Sequence, residues 1–187
     1  MKIATKTKIV IAGALALTLS LFVSCATTDS ASKTDAAPSA AEGTAGTRYT
    51  LNASNLAAGD FADGTKVGDN NYFTLNVPNS AESKLSVDGN NKTVKGVSYT
   101  QRLKLGGVVN TLSFTMASAG TVNIVCQSSS GSADRKLLFL SGGNEVTSVP
   151  SPGSAPAYST VELPAGAYTL QSVDGGTNIY FIEVLEK

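Results

Sequence analysis

"TLSFTMASAGTVNIVCQSSSGSADRKLLFL", residues 111–140, decides the fold. Three short runs stand in it, "TLSFTM" (111–116), "TVNIVCQ" (121–127) and "RKLLFL" (135–140), each apolar and rich in β-branched or aromatic residues. Between them lie "MASAG" and "SSSGSAD", small and polar, the composition of turns rather than of helix interiors. Runs this short with a period near two are strands. The same rhythm continues outward. Upstream it gives "YFTLNV" (72–77), "KLSVD" (84–88) and "RLKLG" (102–106); downstream "STVEL" (159–163), "AYTLQSV" (167–173) and "NIYFIEVL" (178–185). "DGNN", "KLGGVVN", "SGGNE", "PSPGSAP", "LPAG" and "DGG" punctuate them with the Gly, Asn and Pro that tight turns use. Helical spacing is confined to a turn near "ASNLAAGDF" (53–61), and "FADGTKVGDNN" (61–71) reads as a long loop over one end. Many short strands at this spacing predict an all-β chain, an antiparallel β-sandwich of the jelly-roll kind.

The N-terminus has a different character. Lys2, Lys6 and Lys8 precede an apolar stretch from Ile9 to Val23, shorter than the ~20 residues of a membrane span and suited to a signal peptide. The following "LFVSC" resembles a bacterial lipobox, relaxed by Phe22, which implies cleavage before Cys25 and lipidation of its thiol; the alternative is an ordinary secretory peptide. Residues 26–47 contain no aromatic residue and no Val, Ile, Leu or Met, so they cannot bury enough apolar surface to offset the entropy of ordering. The expected organisation is a lipoprotein signal peptide at 1–24, a lipidated flexible tether at 25–47 and one β-sandwich domain at 48–187. The expected location is the cell envelope, lipid-anchored in the outer membrane and facing either the periplasm or the surface.

Charge and residue type exclude several functions. Three of the 14 basic residues lie in the leader, leaving 11 against 14 acidic ones, a net of −3. No basic field of the kind that binds nucleic acid is present. The chain has no histidine, which removes the commonest general base and zinc sites of the His type. With Cys25 lipidated, Cys126 is a lone thiol inside an apolar run, expected to be buried and inert. The carboxylate pairs Asp60/Asp63 and Glu183/Glu186 lie in a turn and at the terminus, not opposed across a cleft, so no catalysis is expected. Asp63, Asp69, Asn70, Asp88 and Asn90 are hard oxygen ligands. Calcium needs six to eight such oxygens converging and no EF-hand spacing occurs, so they read first as turn formers, with Ca2+ as the alternative and no cofactor otherwise expected.

One local feature stands against the net charge. Lys84, Lys92, Lys95, Arg102 and Lys104 lie within 21 residues that hold a single acid, Asp88. On a strand through "SYTQRLKLGG" (98–107), Leu103 and Leu105 face the core while Arg102 and Lys104 stand together on the other side. Two explanations compete: a solvated face with Arg102 tied to Asp134 or Glu183, or a site for an anionic partner such as a carboxylate or sulfate. Tyrosines could add stacking surface for a sugar, and Tyr72 and Tyr180 are the ones expected to be exposed.

Three segments together, "DGNNKTVKGVSYTQRLKLGG" (88–107), "LSFTMASAGTVNIVCQSSSGSADRKLLFL" (112–140) and "GGTNIYFIEV" (175–184), resemble the β-sandwich module appended to bacterial pectate lyases and related polysaccharide-degrading enzymes. The resemblance spans most of residues 61–187. It implies a non-catalytic carbohydrate-binding module for acidic, pectin-like polysaccharide. It places Tyr99, Arg102 and Lys104 in the first segment, Asp134 and Arg135 in the second, and Asn178 and Tyr180 in the third. With Tyr72 from the loop, the expected ligand-binding set is Tyr72, Tyr99, Arg102, Lys104, Asn178 and Tyr180, and Asp134 with Arg135 could instead be an ion pair fixing the turn. The chain has no room for the long parallel β-helix of such lyases, so their activity is not implied. The rival expectation is a structural or adhesive envelope protein that binds another protein through a flat apolar patch.

Overall fold

The computed structural model of the chain describes residues 46–80 and 83–187. The expected signal peptide, the lipidation site Cys25 and nearly all of the tether lie outside the described residues. The compact unit Glu42–Lys187 contains every described residue.

Thirteen strands follow one another: β1 (Arg48–Asn52), β2 (Gly59–Asp60), β3 (Thr65–Val67), β4 (Phe73–Asn76), β5 (Leu85–Val94), β6 (Val97–Leu105), β7 (Thr111–Met116), β8 (Gly120–Ser128), β9 (Arg135–Ser141), β10 (Asn144–Ser151), β11 (Ala157–Leu163), β12 (Gly166–Ser172) and β13 (Thr177–Glu186). They form two antiparallel sheets, as the alternation predicts. One sheet runs β11-β8-β13-β6-β5-β2, the other β10-β9-β12-β7-β4-β3. β13 is the axis of the first: β8 lies along one side, and the other is shared by β6, paired at Thr177–Ile179, and β1, paired at Phe181–Leu185. The chain crosses from sheet to sheet at β7-β8-β9 and again at β11-β12-β13, as a jelly roll does.

The core lies between the sheets. Leu85, Leu103, Leu105, Ile124, Ile179 and Ile182 from the first meet Phe73, Leu75, Leu112, Phe139 and Leu170 from the second, all fully buried. Cys126 is buried in the same core, and burial pushes its thiol up to about 12. Along most strands polar residues alternate outward with the core positions; the exception is the outer face of the first sheet, where Tyr99, Val125 and Tyr180 form a second buried cluster.

Four strands are not legible as alternating runs. β2 and β3 are only two and three residues long, and β3 with the short 3-10 turn Asp69–Asn71 replaces the expected long loop. β1 is polar but is held by the β13 ladder. β10 contains Pro150, which is tolerated because β10 pairs only with β9 and is an edge. The expected turn at "DGNN" is also absent. β5 passes through it, because Gly89 still pairs with Gln101 and Lys92 with Tyr99, leaving Asn90 and Asn91 opposite Thr100 as a bulge. The reversal comes later, at Lys95–Gly96, both at positive φ (49° and 79°), the backbone a two-residue hairpin turn demands.

Candidate functional site

The bulged β5–β6 hairpin builds the site. Its distal half leaves the ladder with β13, which ends at Leu103, and crosses the outer face of the first sheet. At the tip, Lys95 places its ammonium 3.6 Å from the centre of the Tyr158 ring on β11, a cation–π contact that pins the hairpin across the sheet. Tyr99, in phase with Leu103 along the strand, therefore leaves the intersheet core and packs in a second cluster with Val125 and Tyr180.

Beneath the hairpin, β13 carries a bulge of its own. Ile179 pairs with Cys126 and Phe181 with Val125, so Tyr180 has no cross-strand partner. The extra residue lets Ile179 and Ile182 face the core while Tyr180 and Phe181 both join the outer cluster. Tyr180 is 0% exposed, in contrast to the exposed stacking ring expected of it. The bulge and the overlying hairpin bury it, and its hydroxyl donates to Asn90 Oδ1 (2.9 Å) and Gln127 Oε1 (3.2 Å). Burial raises its phenol above the ordinary tyrosine value. Tyr99, at 5% exposure, is likewise no stacking platform.

Arg102 and Lys104 do stand side by side on the outer face, and the acid that meets them is the cross-strand neighbour Asp88, not Asp134 or Glu183. Arg102 Nε donates to Asp88 Oδ1 (2.6 Å) and Nη2 to Oδ2 (3.3 Å), while Lys104 Nζ lies 3.4 Å from Oδ2. The Arg102 guanidinium holds the Asp88 carboxyl below the usual carboxylate range. Arg102 Nη1 makes no hydrogen bond to a described residue. Next to this pair lies a hollow of about 130 Å³, lined by Asn90, Lys92, Arg102, Gln127 and Asn178 and by the serine-rich loop 128–131. With Lys92 and Lys104, the three cations outnumber the one carboxylate, giving a local charge of about +2 in a chain whose formal net charge is zero.

Asp134 and Arg135 do not pair with each other. Arg135 Nη1 donates to Ser129 Oγ and to Gly176 O, both at 2.7 Å, tying the serine loop to the entry of β13. Asp134 Oδ1 accepts from Gly153 N (2.9 Å) and fixes the loop after β10. Their role is to brace the wall of the hollow. Lys92, Asn90 and Gln127 are outside the expected carbohydrate-binding set, Asn90 being expected only as a turn former or calcium ligand. Lys92 carried a signal in the run of basic residues, but Gln127 is brought in only by the β8–β13 register.

Tyr72 lies elsewhere. Its ring stacks on Tyr49 (3.7 Å between centroids, 11° between planes) and its hydroxyl donates to Glu186 Oε1 (2.8 Å). Burial, reinforced by that carboxylate, raises the Tyr72 phenol far above its usual range. Glu186 is eight residues from Asn178 along β13, roughly 26 Å by strand rise. Tyr72 thus belongs to a separate, larger hollow of about 480 Å³ on the outer face of the second sheet, floored by Thr74, Ser113, Thr115 and Thr169. The expected set of six is divided: Arg102 and Asn178 line one hollow, Lys104 adds charge beside it, Tyr99 and Tyr180 support it from within, and Tyr72 is absent from it.

The other expectations can be placed too. Asp60 binds Lys84, Asp63 accepts from Val77 N, Glu183 meets Arg48 and Asn123, and Glu186 holds Tyr72 and Ala117 N. The oxygen ligands considered for calcium are dispersed: Asp69 receives Thr50 N and Oγ1, Asp63 and Asp88 are engaged as above, and no metal-holding group of His, Cys, Asp or Glu occurs among the described residues. The large hydrophobic residues exposed among the described residues are Val97, Val108, Val109 and Val146. Val97 and Val108 flank opposite ends of β6, roughly 30 Å apart, so the four do not form one flat patch.

No family model matches the chain, and no curated protein matches it. Solved structures similar to part of it include carbohydrate-binding modules and, at 14% identity over 54% of this chain and 27% of that one (TM-score 0.34), an exo-beta-1,3-galactanase from Phanerochaete chrysosporium. One comes from work on glycan recognition by the Ruminococcus flavefaciens cellulosome, at 25% identity over 77% of this chain and 97% of that one, with a TM-score of 0.48. A second is the CBM22-1 xylan-binding domain of Paenibacillus barcinonensis Xyn10C, at 14% identity over 70% and 97%, TM-score 0.42. A third is a CBM36 carbohydrate-binding module in complex with calcium and xylotriose, at 17% identity over 54% and 92%, TM-score 0.34.

Proposed function

We propose that the chain is a lipid-anchored, non-catalytic carbohydrate-binding protein of the cell envelope, and that it takes an acidic, pectin-like polysaccharide at the Arg102–Asn178 hollow. The observation that carries this reading is the convergence of Arg102 and Lys92 with the amides of Asn90, Gln127 and Asn178 around one small, braced concavity, with Lys104 beside it. A uronate offers a carboxylate for the cations and hydroxyls for the amides of Asn90 and Asn178, Gln127 being already held by Tyr180 and Gly153 O. Asp88 uses Nε and one Nη of Arg102, which fixes the guanidinium plane and leaves Nη1 for a ligand carboxylate. Recognition is therefore polar and electrostatic, with no stacking ring in the hollow, and Tyr180 acts from beneath by holding Asn90 and Gln127. Cleavage before Cys25 and lipidation of its thiol would hold the domain at the outer membrane by way of the 26–47 tether.

The test is binding of residues 42–187 to immobilised polygalacturonate, its methyl ester and a neutral glycan, with Arg102→Ala in parallel. Expected is saturable binding to the acid alone, weakened by salt and lost in the variant. Equal binding to acid and ester would remove the charge reading. For the anchor, Cys25→Ser in the full chain is expected to shift the protein from the membrane to the soluble fraction of the producing cell.

A further inference from the structure

Among the described side chains lining the hollow, Asn178 alone holds a buried acceptor with no donor. It is 2% exposed, and its Oδ1 is buried without a hydrogen-bond partner. The orientation of the amide is decided by its neighbour: Nδ2 faces the carbonyl of Ser128 (3.4 Å), which accepts only from a donor, so the oxygen is the atom left over. Buried amide oxygens are nearly always bonded, so one that is not calls for an explanation; the other such oxygen among the described residues, that of Asn110, lies away from the hollow, whereas Asn178 lines it. A partner for the Asn178 oxygen has to donate. A carboxylate or a sulfate can satisfy Arg102 and Lys92 but has nothing to give Asn178, whereas a sugar hydroxyl can. The hollow, about 130 Å³, has room for roughly four water molecules, enough for one edge of a sugar ring.

We infer that Asn178 reads a free ring hydroxyl beside the carboxylate, so that the site selects uronate chains whose hydroxyls are neither acylated nor sulfated. This rests on the uronate reading of the hollow and adds a second criterion to it. Arg102 selects for the acid, and Asn178 selects against decoration of the same ring. The serine loop 128–131, held by Arg135, closes the wall and keeps the Ser128 carbonyl where it fixes the amide.

The experiment crosses a change in the protein with a change in the ligand. Residues 42–187, wild type and Asn178→Ala, are titrated with polygalacturonate, with the same polymer O-acetylated on its ring hydroxyls, and with its methyl ester. The wild type is expected to bind the acetylated chain on the order of tenfold more weakly than the unmodified one, the usual size of a lost hydrogen bond to a buried acceptor. Asn178→Ala is expected to bind the unmodified chain on the order of tenfold more weakly and no longer to distinguish the two. Wild-type binding that is indifferent to acetylation overturns the inference, as does an acetylation penalty that persists in Asn178→Ala. A thermal melt checks the variant, and if it does not fold the wild-type comparison decides alone. The methyl ester separates the two levels: loss on esterification without loss on acetylation leaves the uronate reading standing and removes the role of Asn178, while no binding to polygalacturonate removes both.

Discussion

Removing one oxygen atom from the molecule, by Tyr180→Phe, tests how the two bulges build the site. The ring is fully buried and its packing against Tyr99, 6.1 Å between centroids, is kept in the variant. What disappears is the hydroxyl that donates to Asn90 Oδ1 and Gln127 Oε1. One proton is shared by two acceptors, so the direct loss is about one net hydrogen bond, ~1 kcal/mol, to which the desolvated Gln127 oxygen adds about as much again because Gln127 is itself buried. The expected destabilisation is ~1–3 kcal/mol, which for a domain of this size lowers Tm by roughly 3–8 °C. Urea denaturation of residues 42–187 should show a lower midpoint with an unchanged m-value, since the surface exposed on unfolding hardly changes. Affinity for polygalacturonate should fall severalfold, because Asn90 loses its anchor and Gln127 keeps only its bond to Gly153 O (2.9 Å), while Arg102 and Asp88 are untouched. A destabilisation under ~0.5 kcal/mol, with binding unchanged, would mean that the hydroxyl does not hold the hairpin on the sheet, and the account of the site as a product of the two bulges would fail.

Two further outcomes follow from the titrating groups. Because Arg102 holds the folded-state pKa of Asp88 below its unfolded value, the pair stabilises the domain at pH above the unfolded carboxylate value and loses that contribution as pH falls through the depressed folded value. Asp88 is 41% exposed, so the amount is under ~1 kcal/mol; wild type should lose more stability than Asp88→Asn between pH 5 and pH 2 (roughly the window set by that depression), and equal losses would show that the pair contributes nothing. The Cys126 thiol, buried and raised to about 12, should stay unlabelled by a thiol reagent in native residues 42–187 at about pH 8 and react stoichiometrically once unfolded in guanidinium. Rapid labelling of the native protein would show that β8 opens far more readily than its place between β13 and β11 allows.

The sequence by itself determined the architecture. Strand periodicity and turn composition depend on side chains a few residues apart, and both are visible in "TLSFTM", "TVNIVCQ" and "RKLLFL", which become β7, β8 and β9 with little change of boundary. The side-by-side cations at Arg102 and Lys104 were legible for the same reason, since alternation along one strand is local. What the tertiary structure alone decided is where the polar groups meet. A bulge shifts every later residue by one position, and nothing in "NIYFIEVL" announces that Tyr180 is the unpaired residue rather than a member of the alternation. Likewise, "DGNN" has the composition of a turn, and only pairing with Arg102 across the hairpin draws it into β5. Tyr72 and Tyr180 carry the same chemistry in the sequence, yet β13 holds them at opposite ends, one beside Glu186 and one beneath Asn90. Register between strands far apart in the chain is set by the packing of the whole sandwich, so the composition of the hollow, and the unpaired oxygen of Asn178 within it, exist only once both sheets have closed.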